Sequence, residues 1–144
     1  MAGDMEPIAC EALRGVRAVE VSTGLAAAFA GRILADLGAE VVLVEPGDGS
    51  RRRHGGRLRP EFVYFDAGKR SRVLDPNAAA GRADLTALID ASDVVVTDDP
   101  RLAREHASRA DGSGAPGPVI TVVTPFGTTG PYADYASTHL VQCA

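Results

Sequence analysis

The sequence predicts an α/β fold: a mostly parallel, Rossmann-like sheet flanked by helices. Three observations lead there. Short β-branched runs alternate along the chain with segments of helical periodicity. One of these runs, Glu40 to Glu45 (EVVLVE), is apolar on both faces, as a strand inside a parallel sheet must be. Capping residues, prolines and glycines fall between the runs where helices should start and stop.

Arg17 to Ser22 reads as the first strand, with Val19 and Val21 in a run that ends at Ser22, Thr23 and Gly24. A helix follows. Ser22 or Thr23 can cap it, Leu25, Phe29, Ile33, Leu34 and Leu37 recur on one face, and Gly38 suits the left-handed position that ends a helix. Glu40 to Glu45 then completes a βαβ unit. Its right-handed crossover opens the first loop at the carboxyl edge of the sheet, where open α/β folds bind ligands. Pro46 to Pro60 is a Gly- and Arg-rich loop of a length that is usually functional or mobile. Phe62 to Phe65 and Arg72 to Leu74 read as short extended segments around the turn Ala67-Gly68-Lys69. Asp75-Pro76 is a cap with proline at the first helical position, and Leu85, Leu88 and Ile89 form the buried stripe of a helix reaching about Ala91. Asp93 to Val96 is another buried strand. Asp99-Pro100 repeats the cap-plus-proline signal for a helix through about Ala110, 111–118 (DGSGAPGP) is a flexible connection, and Val119 to Val123 is the last strand.

The chain is of single-domain size, read as a flexible tail over 1–12 and one domain over 13–144. Val21 to Gly31, the longest uncharged apolar stretch, is too short to span a bilayer, and the first ten residues lack the basic start and apolar run of a secretory signal. A cytoplasmic protein with no membrane partner is expected. Cys10 and Cys143 lie near opposite ends with no ligand spacing around them, so no metal is expected. A net charge of −4 argues against nucleic acid as a partner, which demands an electropositive surface. Yet Arg51, Arg52, Arg53, Arg57 and Arg59 crowd one loop. Either this is a solvated loop or it contacts a small, multiply phosphorylated ligand.

Glu45, closing the second strand, stands about where a dinucleotide fold keeps its ribose-binding acid. The preceding turn, Ser22-Thr23-Gly24-Leu25-Ala26-Ala27-Ala28, lacks the GxGxxG spacing that lets backbone approach a pyrophosphate. A nicotinamide or flavin site is therefore disfavoured, while the small residues still allow a phosphate or thioester close to the helix amino terminus.

Four blocks carry a more specific signal. LRGVRAVEVSTGLAAAFAGRILADLGAEVVLVEPGDG (Leu13 to Gly49), GKRSRVLD (Gly68 to Asp75), ASDVVV (Ala91 to Val96) and VTPFGTTGPYADY (Val123 to Tyr135) resemble, in order and spacing, the amino-terminal part of class III CoA-transferases. That family includes formyl-CoA and carnitine CoA-transferases and α-methylacyl-CoA racemase. The resemblance implies the amino-terminal part of the family's large domain, without the small second domain and the returning carboxyl-terminal segment that complete an interlocked dimer. It also implies coenzyme A or acyl-CoA as ligand, and as partner a second copy or a complementary CoA-transferase half.

By the same resemblance, Thr23, Gly24, Leu25 and Ala26 form the turn that approaches CoA and the acyl group, and Pro46 with Arg51, Arg52 and Arg53 lies near the CoA phosphates. Lys69 and Arg70 match a basic pair near the nucleotide; the plain alternative is a pair on the surface. Three departures stand out. Where the family commonly has ENFRPG, this chain has Thr97-Asp98-Asp99-Pro100-Arg101-Leu102. Two acids there would repel a phosphate, and Arg101 is displaced by one position from the family arginine. The segment from Leu102 to Pro118 is shorter than its family counterpart. Finally, the register of Gly130-Pro131-Tyr132 puts His139 where the family has an aspartate that attacks the acyl-CoA thioester and then accepts CoA. An imidazole has no carboxyl carbon on which an enzyme-bound CoA thioester could form. The reading is thus a CoA-transferase segment that binds CoA and is inactive by itself; the alternative is a degenerate, non-catalytic CoA-binding module.

Overall fold

A computed structural model of the chain describes residues 11–47, 49, 60–75, 78–107, 117–135 and 137. The elements in chain order are β1 (Arg17–Val21), α1 (Leu25–Asp36), β2 (Glu40–Glu45), α2 (Pro60–Phe65), β3 (Arg70–Val73), α3 (Ala79–Asp90), β4 (Val94–Thr97), α4 (Pro100–Ala107) and β5 (Val119–Val122). The strands form one sheet in the order β3-β2-β1-β4-β5, and every neighbouring pair is parallel. β1 lies between β2 and β4, with Val19 opposite Val42 on one side and Val95 on the other. The connections therefore leave β1 in one direction and return to β4 in the other, which makes the β1/β4 boundary the switch point of the fold.

Side-chain alternation along the strands divides the core between the two faces. Val19, Val44 and Val95 meet Leu85 and Ile89 of α3, with Leu88 packed alongside, as the sequence pattern requires. On the other face, Ala18 and Val41 pack with Leu34 and Ala35 of α1. Gly38 ends α1 with φ 97°, a backbone position for which glycine carries no Cβ penalty.

Three expectations need correction. The residues of α1 that are fully buried are Ala27, Ala28 and Gly31, whereas Leu25, Phe29 and Ile33 remain 47%, 44% and 44% exposed. The helix approaches the sheet mainly through its small residues, with Leu34 packed alongside, and Leu25, Phe29 and Ile33 face outward. Phe62 to Phe65 is helical rather than extended. Pro60 and Glu61 favour a helix start, and the short helix sets Phe65 edge-on against Phe29, ring centroids 6.1 Å apart. Helix α3 begins at Ala79 with Ala78 as its N-cap, later than the Asp75-Pro76 signal suggests; Pro76 itself lies outside the described residues. Gly81 nests against the Asp75 carbonyl, where an added Cβ would come within 1.9 Å of the oxygen.

Candidate functional site

The ends of β1 and β4 are joined side by side, Val21 opposite Thr97, so the loops that follow them diverge from a common point. Here Asp98 reaches across the sheet. Its Oδ2 accepts the backbone N–H of Thr23 at 2.8 Å and of Gly24 at 2.7 Å, and the Thr23 hydroxyl at 3.1 Å. Neither Ser22 nor Thr23 caps α1, as the sequence suggested; Gly24 is the N-cap with no side chain capping the first turn, and Asp98, from the other side of the switch point, holds the two N–H groups that lead into it. The neighbouring acid does the same for the next helix, since Asp99 Oδ1 accepts the N–H of Arg101 at 2.8 Å. Both acids thus sit where a helix terminus favours negative charge.

Beside Asp98 opens a cleft of about 800 Å³, lined by Gly24, Leu25, Ala26, Ala27 and Phe29 of the first turns of α1, by Phe65, by Val123, Thr124 and Pro125 after β5, and by Ser137. Asp98 is the one ionisable side chain among these described lining residues. The walls are otherwise apolar or neutral.

Beneath α1 lies a buried ion cluster. The Lys69 ammonium donates to Glu20 Oε2 at 2.6 Å, to the Ala28 carbonyl at 2.8 Å and to Asp66 Oδ1 at 3.1 Å. The three side chains are at most 1% exposed. Ser22, next to the turn that carries Thr23, donates its hydroxyl to Glu20 Oε1 at 2.7 Å. Gly31 covers the cluster because nothing larger fits: an added Cβ would lie 2.1 Å from Glu20 Oε2. Lys69 therefore does not join an exposed basic pair. Its three N–H donors are spent inside the fold, while Arg70 points outward and pairs with Glu40.

The model of CoA-transferase family III matches residues 13–144. The chain belongs to this family. Among curated relatives, it is 36% identical over 150 residues to the succinate–glutarate CoA-transferase of Agrobacterium fabrum, covering 90% of this chain and 36% of that protein. It is 35% identical over 133 residues to the succinyl-CoA–D-citramalate CoA-transferase of Chloroflexus aurantiacus, covering 86% of this chain and 33% of that protein. Among solved structures, a CaiB/BaiF family protein from Brucella suis superposes with a TM-score of 0.75 at 27% identity, covering 89% of this chain and 37% of that one. The Rv3272 protein of Mycobacterium tuberculosis gives a TM-score of 0.75 at 28% identity, with 90% and 38% covered. The chain thus spans about a third of the length of these four relatives.

Within the family III frame, the sequence-derived site residues separate into groups. Gly24, Leu25, Ala26 and Asp98 line the cleft, and Thr23 borders it through its bonds to Asp98. Pro46 is exposed just after β2, and Arg101 is exposed in the first turn of α4; neither lines the cleft. Arg51, Arg52, Arg53 and His139 lie outside the described residues. Several wall residues carried no assignment from sequence. Phe29 was read as part of a helix face and Phe65 as part of an extended segment, although Thr124 and Pro125 fall inside the family-like block after β5. Among the described residues, no cluster of His, Cys, Asp or Glu could hold a metal ion, and no helix is long and apolar enough to cross a membrane.

Proposed function

We propose that this chain is the amino-terminal, acyl-CoA-binding part of an acyl-CoA:carboxylate CoA-transferase-like system. The observation that carries the reading is the cleft at the β1/β4 switch point, opening beside the β1–α1 turn of a family III chain. In this reading the acyl thioester enters the cleft beside Gly24 and Ala26, whose small side chains leave room for it. The CoA phosphates meet Arg51, Arg52 and Arg53 beyond Pro46, where planar guanidinium groups can bind phosphate bidentately. His139 stands at the nucleophile position, so an enzyme-linked CoA thioester does not form there and the chain alone binds without turnover by that route. The working assembly pairs two copies, which would cover the exposed apolar side chains of α1, and it resides in the cytoplasm.

Calorimetry on the chain tests this directly. CoA should bind more tightly than NAD, and Arg52→Ala should weaken CoA binding, while incubation with an acyl-CoA followed by hydroxylamine and mass spectrometry should detect no CoA adduct. Equal binding of NAD and CoA, or a CoA adduct on a carboxylate within 131–144, would refute the reading.

A further inference from the structure

We infer that Phe65 is a specificity-determining residue of the cleft: its ring, held in place by Arg32, receives the apolar part of an aromatic acyl group. The inference deepens the proposed function and rests on it for the acyl-CoA nature of the ligand.

Phe65 lines the cleft from the last position of α2, a six-residue helix with no buried residue of its own. So short a helix does not hold its shape alone, and what fixes the ring must come from outside it. Two charged side chains do this, one on each side of Phe65. Arg32 Nη1 donates to the Tyr64 carbonyl at 2.7 Å, one of the acceptors that the end of a helix leaves open, and the guanidinium carbon lies 5.9 Å from the centre of the Tyr64 ring. Arg32 is itself aimed by Asp36, whose two carboxylate oxygens accept its Nε–H at 2.7 and 2.8 Å. On the other side, the Asp66 carboxylate is drawn into the fold by the Lys69 ammonium at 3.1 Å. The chain is therefore pinned immediately before and immediately after Phe65.

The ring held in this way meets Phe29 of α1 edge to face, and Tyr64 likewise with centroids 5.0 Å apart. Phe29 also lines the cleft, so the two phenylalanines form an aromatic section of its wall. A ligand ring can join this pair in the same edge-to-face geometry, gaining the aromatic increment as well as the burial of its area. A short aliphatic chain gains only burial, and over less area. At about 800 Å³ the cleft has room for such a ring. Rigidity is what makes the wall selective, since a wall free to move would fit either shape.

Phenylacetamide and butyramide test the wall without CoA; they share the amide and differ in whether a ring or a short chain follows. In titrations of the isotope-labelled chain followed by NMR, phenylacetamide should bind at least about fivefold more tightly than butyramide and shift the amide signals of Phe29 and Phe65. Phe65→Leu keeps an apolar side chain but removes the ring, and should cut that preference to about twofold or less. Arg32→Ala should do the same while weakening the Overhauser contact between the Phe29 and Phe65 rings. Arg32→Lys keeps a donor for the Tyr64 carbonyl and should restore both. Equal binding of the two amides by the parent, a preference that survives Phe65→Leu, or an Arg32→Ala variant that retains either the ring contact or the preference would overturn the inference. Calorimetry with CoA on the same samples separates this from the proposed function. Absence of CoA binding with the amide pattern intact rejects the CoA assignment and leaves the aromatic wall standing, whereas CoA binding without an aromatic preference rejects the wall alone.

Discussion

A buried ammonium requires opposite charge and a partner for each N–H, and Lys69 finds both only because Glu20, Asp66 and the Ala28 carbonyl converge on it. Lys69→Met removes the positive charge and leaves two buried carboxylates facing each other. We expect a loss of about 3–5 kcal/mol in unfolding free energy, measurable by urea denaturation. Gly31→Ala attacks the same cluster from above, pressing a methyl group onto Glu20, and should cost about 1–3 kcal/mol. Equal stability of either variant with the parent would mean that the cluster does not hold α1 against the sheet. No sign of this cluster was read from the sequence, although a glutamate inside the apolar strand RAVEV and a glycine inside an alanine-rich helix are both unusual. The inward turn of Lys69 was not legible. It sits in a short turn before the exposed edge strand β3, where adjacent residues face opposite ways and one residue of register decides between phosphate ligand and core ion.

At the level of elements, the strands were readable because β-branched runs bounded by turn residues have few alternative structures, and the observed ends of β2 match its apolar run. Helix α2 was not readable, since six residues span less than two turns and cannot display a helical period. The face of α1 was misread for a different reason. Periodicity identifies an apolar stripe, but a stripe of small residues lies beside it, and close packing over Glu20 favours the small one. Leu25, Phe29 and Ile33 of the large stripe are consequently available to a partner. Light scattering of the chain should therefore report a dimer, and Ile33→Glu should shift it to monomer while changing the unfolding free energy by no more than about 0.5 kcal/mol. A monomer at all accessible concentrations, before any substitution, would show that the stripe needs no cover.

Taken as a whole, the molecule opens its cleft where the chain reverses strand order, and that location follows from the alternation of strands and helices alone. What occupies the switch point does not. Asp98 lies 75 positions from Thr23 in sequence, and only the pairing of β4 with β1 brings the carboxylate to the α1 terminus. The same architecture has a practical corollary for chemical labelling. Lys69 is the only lysine in the sequence, and it is sealed between α1 and the sheet. An amine-directed reagent such as an activated ester can modify this side chain only when α1 lifts away, so the rate of modification measures local opening rather than intrinsic reactivity. Mass spectrometry should find Lys69 acylated slowly in the native chain and rapidly in urea or in Gly31→Ala, whereas prompt native labelling would mean that the helix is routinely detached. One residue thereby serves as a built-in clock for the breathing of α1 on the sheet of this family III chain.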